Sequence, residues 1–210
     1  RGLYYYLYNG LIWSGPFNLI SNSISQGGNV NVINDNNRVY IVWGSPDGSA
    51  DYYTWDGITL SSKIDICDDN VPGVTLLGGL IYVAGTDNIT GNIEVYSAIA
   101  AANPTFSHHS AAMTGLIGSH PEVFSNGSSL YLIAVPYDNT IERKYLIQSR
   151  YTGSTWTQSK KISSGGYSGT NWWEFSPAGY YDGMNSYVFF ATESDGTVYS
   201  DAEIAFTILD

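Results

Sequence analysis

Two glutamates stand where chemistry is most readily built. Glu122 follows His120-Pro121, and Glu174 follows Trp172-Trp173, each near the head of a segment leading into an apolar run. Hydrolysis of a glycosidic bond uses two carboxyl groups about 5–10 Å apart. Equivalent places in successive repeats are one way to bring such a pair together. The other acids fit a plainer role. Asp35, Asp47, Asp56, Asp138, Asp182 and Asp195 each stand next to Asn or Gly, where an Asp side chain bonds the backbone of its own turn. The histidines are His108, His109 and His120. His108 and His109 would point to opposite faces of a strand and no further ligands accompany them, so no metal site is expected. No Ser-His-Asp arrangement, phosphate-cradling glycine loop or zinc pattern is visible. No residue is therefore assigned a catalytic role, and no cofactor is expected.

Aromatic residues carry a stronger signal. The stretch "GTNWWEFSPAGYYDG" gathers Asn171, Trp172, Trp173, Glu174, Tyr180 and Tyr181. Sugar rings stack their apolar faces on Trp and Tyr while their hydroxyls bond to polar side chains. These six residues form the expected ligand-binding set, together with His120 and Glu122 at the equivalent place one repeat earlier. Adjacent Trp172 and Trp173 cannot both face one side of a strand. Trp13, Trp43, Trp55 and Trp156 fall at strand positions and are expected to fill the core between repeats.

The repeat shows first in a turn. The phrase aromatic-x-Gly-x-x-aromatic-Ser/Thr begins at Tyr8 and at Tyr151. It returns from Trp55 with Leu60 at the second aromatic place, and as "AANPTFS" from Ala101. Successive starts lie 47, 46 and 50 residues apart. The apolar runs "RVYIVWG", "LIYVAG", "LYLIAVP" and "SYVFFAT" recur in phase with it, as strands buried on both faces do. Asn-Asn, Asp-Gly and Asn-Gly turns suit short antiparallel connections. Four short strands per unit at a period of about 40–50 residues predict an all-β fold, a β-propeller of four-stranded antiparallel blades. Complete units run over about 27–70, 71–117 and 118–165, with partial units at 1–26 and 166–210. The partial units make four blades if they join, or five with incomplete terminal blades if they stay apart. A β-sandwich is the alternative, although it has no reason to repeat.

Composition narrows the partners. The 210 residues are 43% hydrophobic and 13% charged, with net charge −11. The charged share is about half the usual one, leaving Asn, Ser, Thr, Gly and Tyr to make the polar surface. Nucleic acid is excluded as a partner, because phosphate neutralisation needs clustered cations. No apolar run reaches the roughly 18 residues of a membrane-spanning helix. The single cysteine, Cys67, excludes a disulfide scaffold and is expected to be a small core residue. The chain opens on Arg1 without a signal peptide and reads as a mature or excised product. Sparse lysine and the sequons Asn88-Ile89-Thr90 and Asn126-Gly127-Ser128 suit a secreted or cell-surface glycoprotein.

The segments "LYYYLYNGLIWSGPFNLIS" and "YLIQSRYTGSTWTQSKKIS" resemble the repeat units of sialidase-like and lectin-type β-propellers. The resemblance implies a propeller that handles carbohydrate. The sialidase turn motif Ser-x-Asp-x-Gly-x-Thr-Trp is not met, since "SPDGS" and "ESDGT" set Asp and Gly side by side. Nor does any spacing converge Arg38, Arg143 and Arg150 into the arginine trio of such enzymes. The expected function is therefore lectin-like carbohydrate binding without catalysis, with glycans or polysaccharide as partners. One alternative is a structural cell-surface or filament subunit, a homo-oligomer assembled through unpaired terminal strands. The second alternative is a propeller-type glycosidase.

Overall fold

A computed structural model describes residues 2–21, 29–44, 49–67, 73–87, 90, 92–109, 112–113, 118–136, 145–163, 177–193 and 202–209. All regular structure among them is β-strand. Strands β1 (Gly2–Tyr8) and β2 (Trp13–Ser21) form a hairpin. β3 (Val30–Asn34), β4 (Val39–Gly44), β5 (Ala50–Trp55) and β6 (Ile64–Cys67) form a four-stranded antiparallel sheet in chain order. β7 (Gly73–Leu77), β8 (Leu80–Thr86), β9 (Ile93–Ile99) and β10 (Ser107–His108) repeat it, as do β11 (Gly118–Ser125), β12 (Leu130–Pro136), β13 (Ile147–Tyr151) and β14 (Lys160–Lys161). The last sheet has three strands, β15 (Ala178–Tyr181), β16 (Ser186–Glu193) and β17 (Ala202–Leu209). Each sheet packs on the next, so the chain is an all-β propeller and not two sheets face to face. The two terminal fractions do not merge into one blade among the described residues, because β1 pairs with β2 alone and β17 with β16 alone.

Turn chemistry explains the recurring phrase. In the β1–β2 hairpin Asn9 Oδ1 accepts the N–H groups of Leu11 and Ile12, and Gly10 sits at φ 95°. Asp56 repeats the arrangement with Ile58, Thr59 and Gly57 at φ 96°, and Asp182 repeats it with Met184, Asn185 and Gly183 at φ 97°. A left-handed residue after an Asx cap is the geometry that Asn-Gly and Asp-Gly supply without steric cost. These hydrogen bonds hold the carboxyls of Asp56 and Asp182 below the usual carboxylate range. The two aromatics of the phrase are cross-strand partners. Tyr8 lies 4.9 Å from Trp13 and Tyr151 lies 5.2 Å from Trp156, centroid to centroid.

The second strand of each four-stranded sheet is apolar because its two sides serve two interfaces. On β4, Tyr40 and Val42 pack toward β7 and β8, while Ile41 and Trp43 pack toward the β1–β2 hairpin. On β8, Ile81 and Val83 face back to β4 and β5, and Tyr82 and Ala84 face forward to β12. On β12, Leu130 and Leu132 face back, and Tyr131 and Ile133 face forward to Val188 and Leu209. Hydrophobic burial between successive blades therefore holds the array together. Cys67 is a half-buried member of one of these interfaces. Trp43 is buried, but Trp13 is 69% exposed. The expectation of an inter-blade Trp13 is corrected: Trp13 leans on Tyr8, and among the described residues no sheet covers that side of the hairpin.

A hydrogen bond also ties blade to blade. The buried Tyr52 hydroxyl donates to the carbonyl of Ala101 in the following unit, at 2.9 Å. Tyr52→Phe is expected to lower unfolding free energy by about 1 kcal/mol without altering the fold, measured by urea denaturation.

Candidate functional site

The first strands of successive sheets touch in order, β3 on β7, β7 on β11 and β11 on β15. Between them lies a cavity of about 370 Å³. Its walls are Asn31 to Ile33 from β3, Val74 and Thr75 from β7, Glu122 to Ser125 from β11, and Gly179 to Tyr181 from β15. Every wall thus comes from an innermost strand, and no single repeat could form it.

Glu122 is the one carboxylate among the described lining residues. Its place follows from the irregular start of β11. The pairing of β11 with β12 is regular from Glu122↔Ile133 onward, but the register shifts between Ser119 and Glu122. A bulge re-aims side chains and tolerates a proline, which has no N–H for the ladder; Pro121 occupies it. Val123, next along the strand, is fully buried in the preceding interface, and Phe124 is buried in the following one.

Two glycines let β7 and β15 crowd this strand. A Cβ on Gly73 would stand 2.6 Å from the Pro121 carbonyl oxygen and 2.9 Å from the Glu122 Cα. A Cβ on Gly179 would fall within the Phe124 ring. The resulting close packing controls the acid. Glu122 keeps partial solvent access through the cavity, yet burial raises its pKa from 4.5 to about 7. The backbone N–H of Gly179 donates to the carboxyl group and opposes that rise. Desolvation prevails because one amide replaces only part of a carboxylate's hydration.

Tyr180 and Tyr181 stand on the neighbouring wall. Tyr180 is 58% exposed, so its ring is available to a ligand. The Tyr181 hydroxyl donates to the Gly183 carbonyl at 2.8 Å and is held by its turn. Of the expected set, the structure brings Glu122, Tyr180 and Tyr181 onto one cavity. His120 lies in β11 at the bulge, and its side chain is outside the described residues. Asn171, Trp172, Trp173 and Glu174 also lie outside them. Asn31 and Thr75 were not singled out from sequence, since single polar residues in short strands carry no local sign of convergence. Gly73 and Gly179 had a sign: glycine inside a strand marks close backbone approach.

The other titratable clusters lie elsewhere. His108 Nε2 pairs with Glu94, and His109 bonds the Ser97 hydroxyl at 2.7 Å. Burial lowers the His109 pKa below its ordinary value. Asp51 is buried beside Lys63 at 3.3 Å, and Lys63 also reaches Asp65 at 2.7 Å. These contacts fasten neighbouring strands of one sheet and do not reach the cavity.

Known structures share this architecture. A thermostable family-43 glycoside hydrolase is similar with TM-score 0.55 and 12% identity over 89% of this chain and 69% of that one. The family-43 endo-arabinanase from Bacillus licheniformis is similar with TM-score 0.54 and 13% identity, covering 94% of this chain and 82% of that one. A family-32 β-fructofuranosidase from Bombyx mori gives TM-score 0.57 and 9% identity over 87% of this chain. This chain spans only 46% of that enzyme. At these identities the likeness concerns the propeller fold. No protein-family model matches the sequence, sialidase-like repeats included, and no curated protein matches it either.

Proposed function

We propose that the protein is a carbohydrate-active propeller of the hydrolase kind, with Glu122 as proton donor at the cavity between the innermost strands. The observation that carries this reading is the placement of Glu122 in a cavity between innermost strands, walled also by Tyr180 and Tyr181, where close packing raises its pKa. A carboxyl group still protonated near neutrality can protonate the oxygen of a leaving sugar. Tyr180 offers a stacking face, and Asn31 and Thr75 offer polar contacts to hydroxyls. Hydrolysis also requires a second carboxylate as base or nucleophile. By their place in the sequence, Asp68 and Asp69 ahead of β7 and Glu174 ahead of β15 are the residues to test for it. The fold likeness to glycoside hydrolases of families 43 and 32 is consistent with such a site but does not supply the substrate.

The test is release of reducing ends from a panel of arabinan, xylan, galactan and fructan oligosaccharides, with wild type beside Glu122→Gln. Turnover that depends on Glu122 supports the reading. Absence of both turnover and glycan binding sinks it. A second reading, glycan binding without hydrolysis, draws on the fact that Glu122 is alone among the described lining carboxylates; it predicts binding with no turnover. In either case Tyr180→Ala is expected to weaken glycan binding about tenfold, read by titration calorimetry. The sparse lysine and the two sequons support a place outside the cell or on its surface.

A further inference from the structure

The sheet β7–β10 and the sheet β11–β14 meet along a seam whose two ends differ. At the inner end the backbones touch, and a Cβ on Gly73 would stand 2.8 Å from the Val123 nitrogen. Midway, Ala84, Ile93 and Val95 meet Val123, Leu132 and Ile147 in one apolar cluster. At the outer end the contact is a histidine. The His109 ring lies 6.3 Å from the Tyr82 ring of its own sheet, centroid to centroid. It lies 6.1 Å from the Tyr151 ring of the next sheet. Tyr151 in turn leans on Trp156, and both pack against the apolar cluster. A titratable side chain is thus set between two sheets.

The backbone aims the ring there. The His109 N–H donates to the Val95 carbonyl at 2.8 Å, just past the short strand β10. His109 Nε2 meets the Ser97 hydroxyl at 2.7 Å, on the side of β9 that carries Val95 and Ser97. His108 turns to the other side, beside Tyr96 and paired with Glu94. The surroundings of His109 suit a neutral ring. Tyr82 faces it from β8, Ser97 from β9 and Tyr151 from β13. Burial raises the pKa of Tyr82 above its ordinary value, so that phenol stays neutral. Glu94 stands with His108 across β9, and Arg150 reaches Ser129 and the Tyr131 ring across β13. Among the described residues no carboxylate pairs with His109. Both ring distances exceed the roughly 6 Å within which an aromatic face stabilises a cation. Burial, and secondarily the charge of His108, lowers the pKa of the ring below the ordinary 6.5.

We propose that His109 is an acid-sensitive latch on the outer end of this seam. Neutral, it lies between Tyr82 and Tyr151 and keeps the seam shut. Protonated, it leaves for water, and the segment that carries Tyr151 and Trp156 loses its contact with the preceding sheet. The inner end holds through Gly73 and the apolar cluster, so the sheets part locally without unfolding. The open ring takes its proton near 6.5, and the closed ring only at lower pH. The latch is therefore fully shut above that value. It weakens as pH falls below it, until the closed ring is protonated too. Glu122 acts in the opposite sense, because the fold holds its proton more tightly than the unfolded chain does. The latch is independent of the sugar-handling reading, since none of its residues walls the cavity.

Hydrogen exchange read by NMR at about pH 7.5 and about pH 5 tests this with wild type, His109→Gln and His108→Gln. The readout is protection of the amides of residues 109, 152 and 157, which bond Val95, Thr155 and Arg150, corrected for intrinsic rates. Wild type is expected to lose protection there severalfold in acid, while the amides of β12 keep theirs. His109→Gln offers Ser97 a polar partner without a charge and is expected to show no acid loss. His108→Gln is expected to retain the loss. His109→Phe replaces a glutamine variant that does not fold, because its ring fills the same place. Equal protection of wild type at both pH values overturns the latch. So does an acid loss as large in the His109 variant as in wild type, or one abolished in His108→Gln. A His109 ring that titrates at or above 6.5 in an NMR titration of wild type overturns it independently.

Discussion

Under the proposed function, Glu122→Gln is expected to remove about 10²- to 10⁴-fold of the hydrolytic rate, and under any function to make the protein more stable above pH 7. Both effects have one origin. The folded state holds the Glu122 proton up to about pH 7, whereas the unfolded chain releases it near 4.5. Between those values the native state binds more protons than the unfolded one, so stability falls as pH rises. Above the window the fold carries a charge that burial disfavours. Gln keeps the shape and removes the ionisation. The gain is expected to reach about 2 kcal/mol above pH 7, allowing for the partial solvent access of the cavity, and to vanish below pH 4.5. Thermal melts of both proteins across that range measure it. An unchanged gap at all pH values would show that Glu122 titrates normally. Under the proposed function, hydrolysis should likewise decline as pH passes 7 and Glu122 loses its proton.

Gly179→Ala is expected to cost about 3 kcal/mol, the upper part of the range for overpacking a filled core. The added methyl would occupy the position of the Phe124 ring. That ring cannot step aside freely, because it stacks on Tyr131 at 5.2 Å within the interface to the last sheet. Gly179 also donates its N–H to Glu122, so displacement of β15 should raise the Glu122 pKa further. Urea denaturation reads the stability, and the pH dependence of turnover reads the acid. The double variant Gly179→Ala/Phe124→Leu should recover part of the loss by making room. If the single variant is as stable as wild type, the close approach of β15 to β11 is wrong.

Much of the fold can be read along the chain because its causes are local. A strand buried on both sides is apolar at every position, as "YIVW" in β4 and "YLIAV" in β12 show. A turn that needs a cap and a left-handed residue leaves Asn-Gly or Asp-Gly in the sequence, as at Asn9-Gly10 and Asp182-Gly183. Recurrence of those signals at nearly constant spacing implies radial repetition. Glu122 was identifiable as a residue at the head of an innermost strand, and the Tyr180-Tyr181 pair as aromatics one unit later. Trp13 shows where such reasoning stops. Its phrase matches that of Trp156, yet Trp156 packs against a buried interface and Trp13 lies open, because coverage depends on which sheet stands next to the hairpin.

Pattern and turn chemistry alone thus determined that this chain is all-β and that it repeats. Assembly of the blades decided the rest. Long-range approach placed Glu122 beside Gly73 and Gly179, desolvation there moved its proton affinity, and the packing around each hairpin left Trp13 exposed while Trp156 lies against a buried cluster. Those properties depend on distances between residues far apart in the chain, which composition and periodicity do not encode.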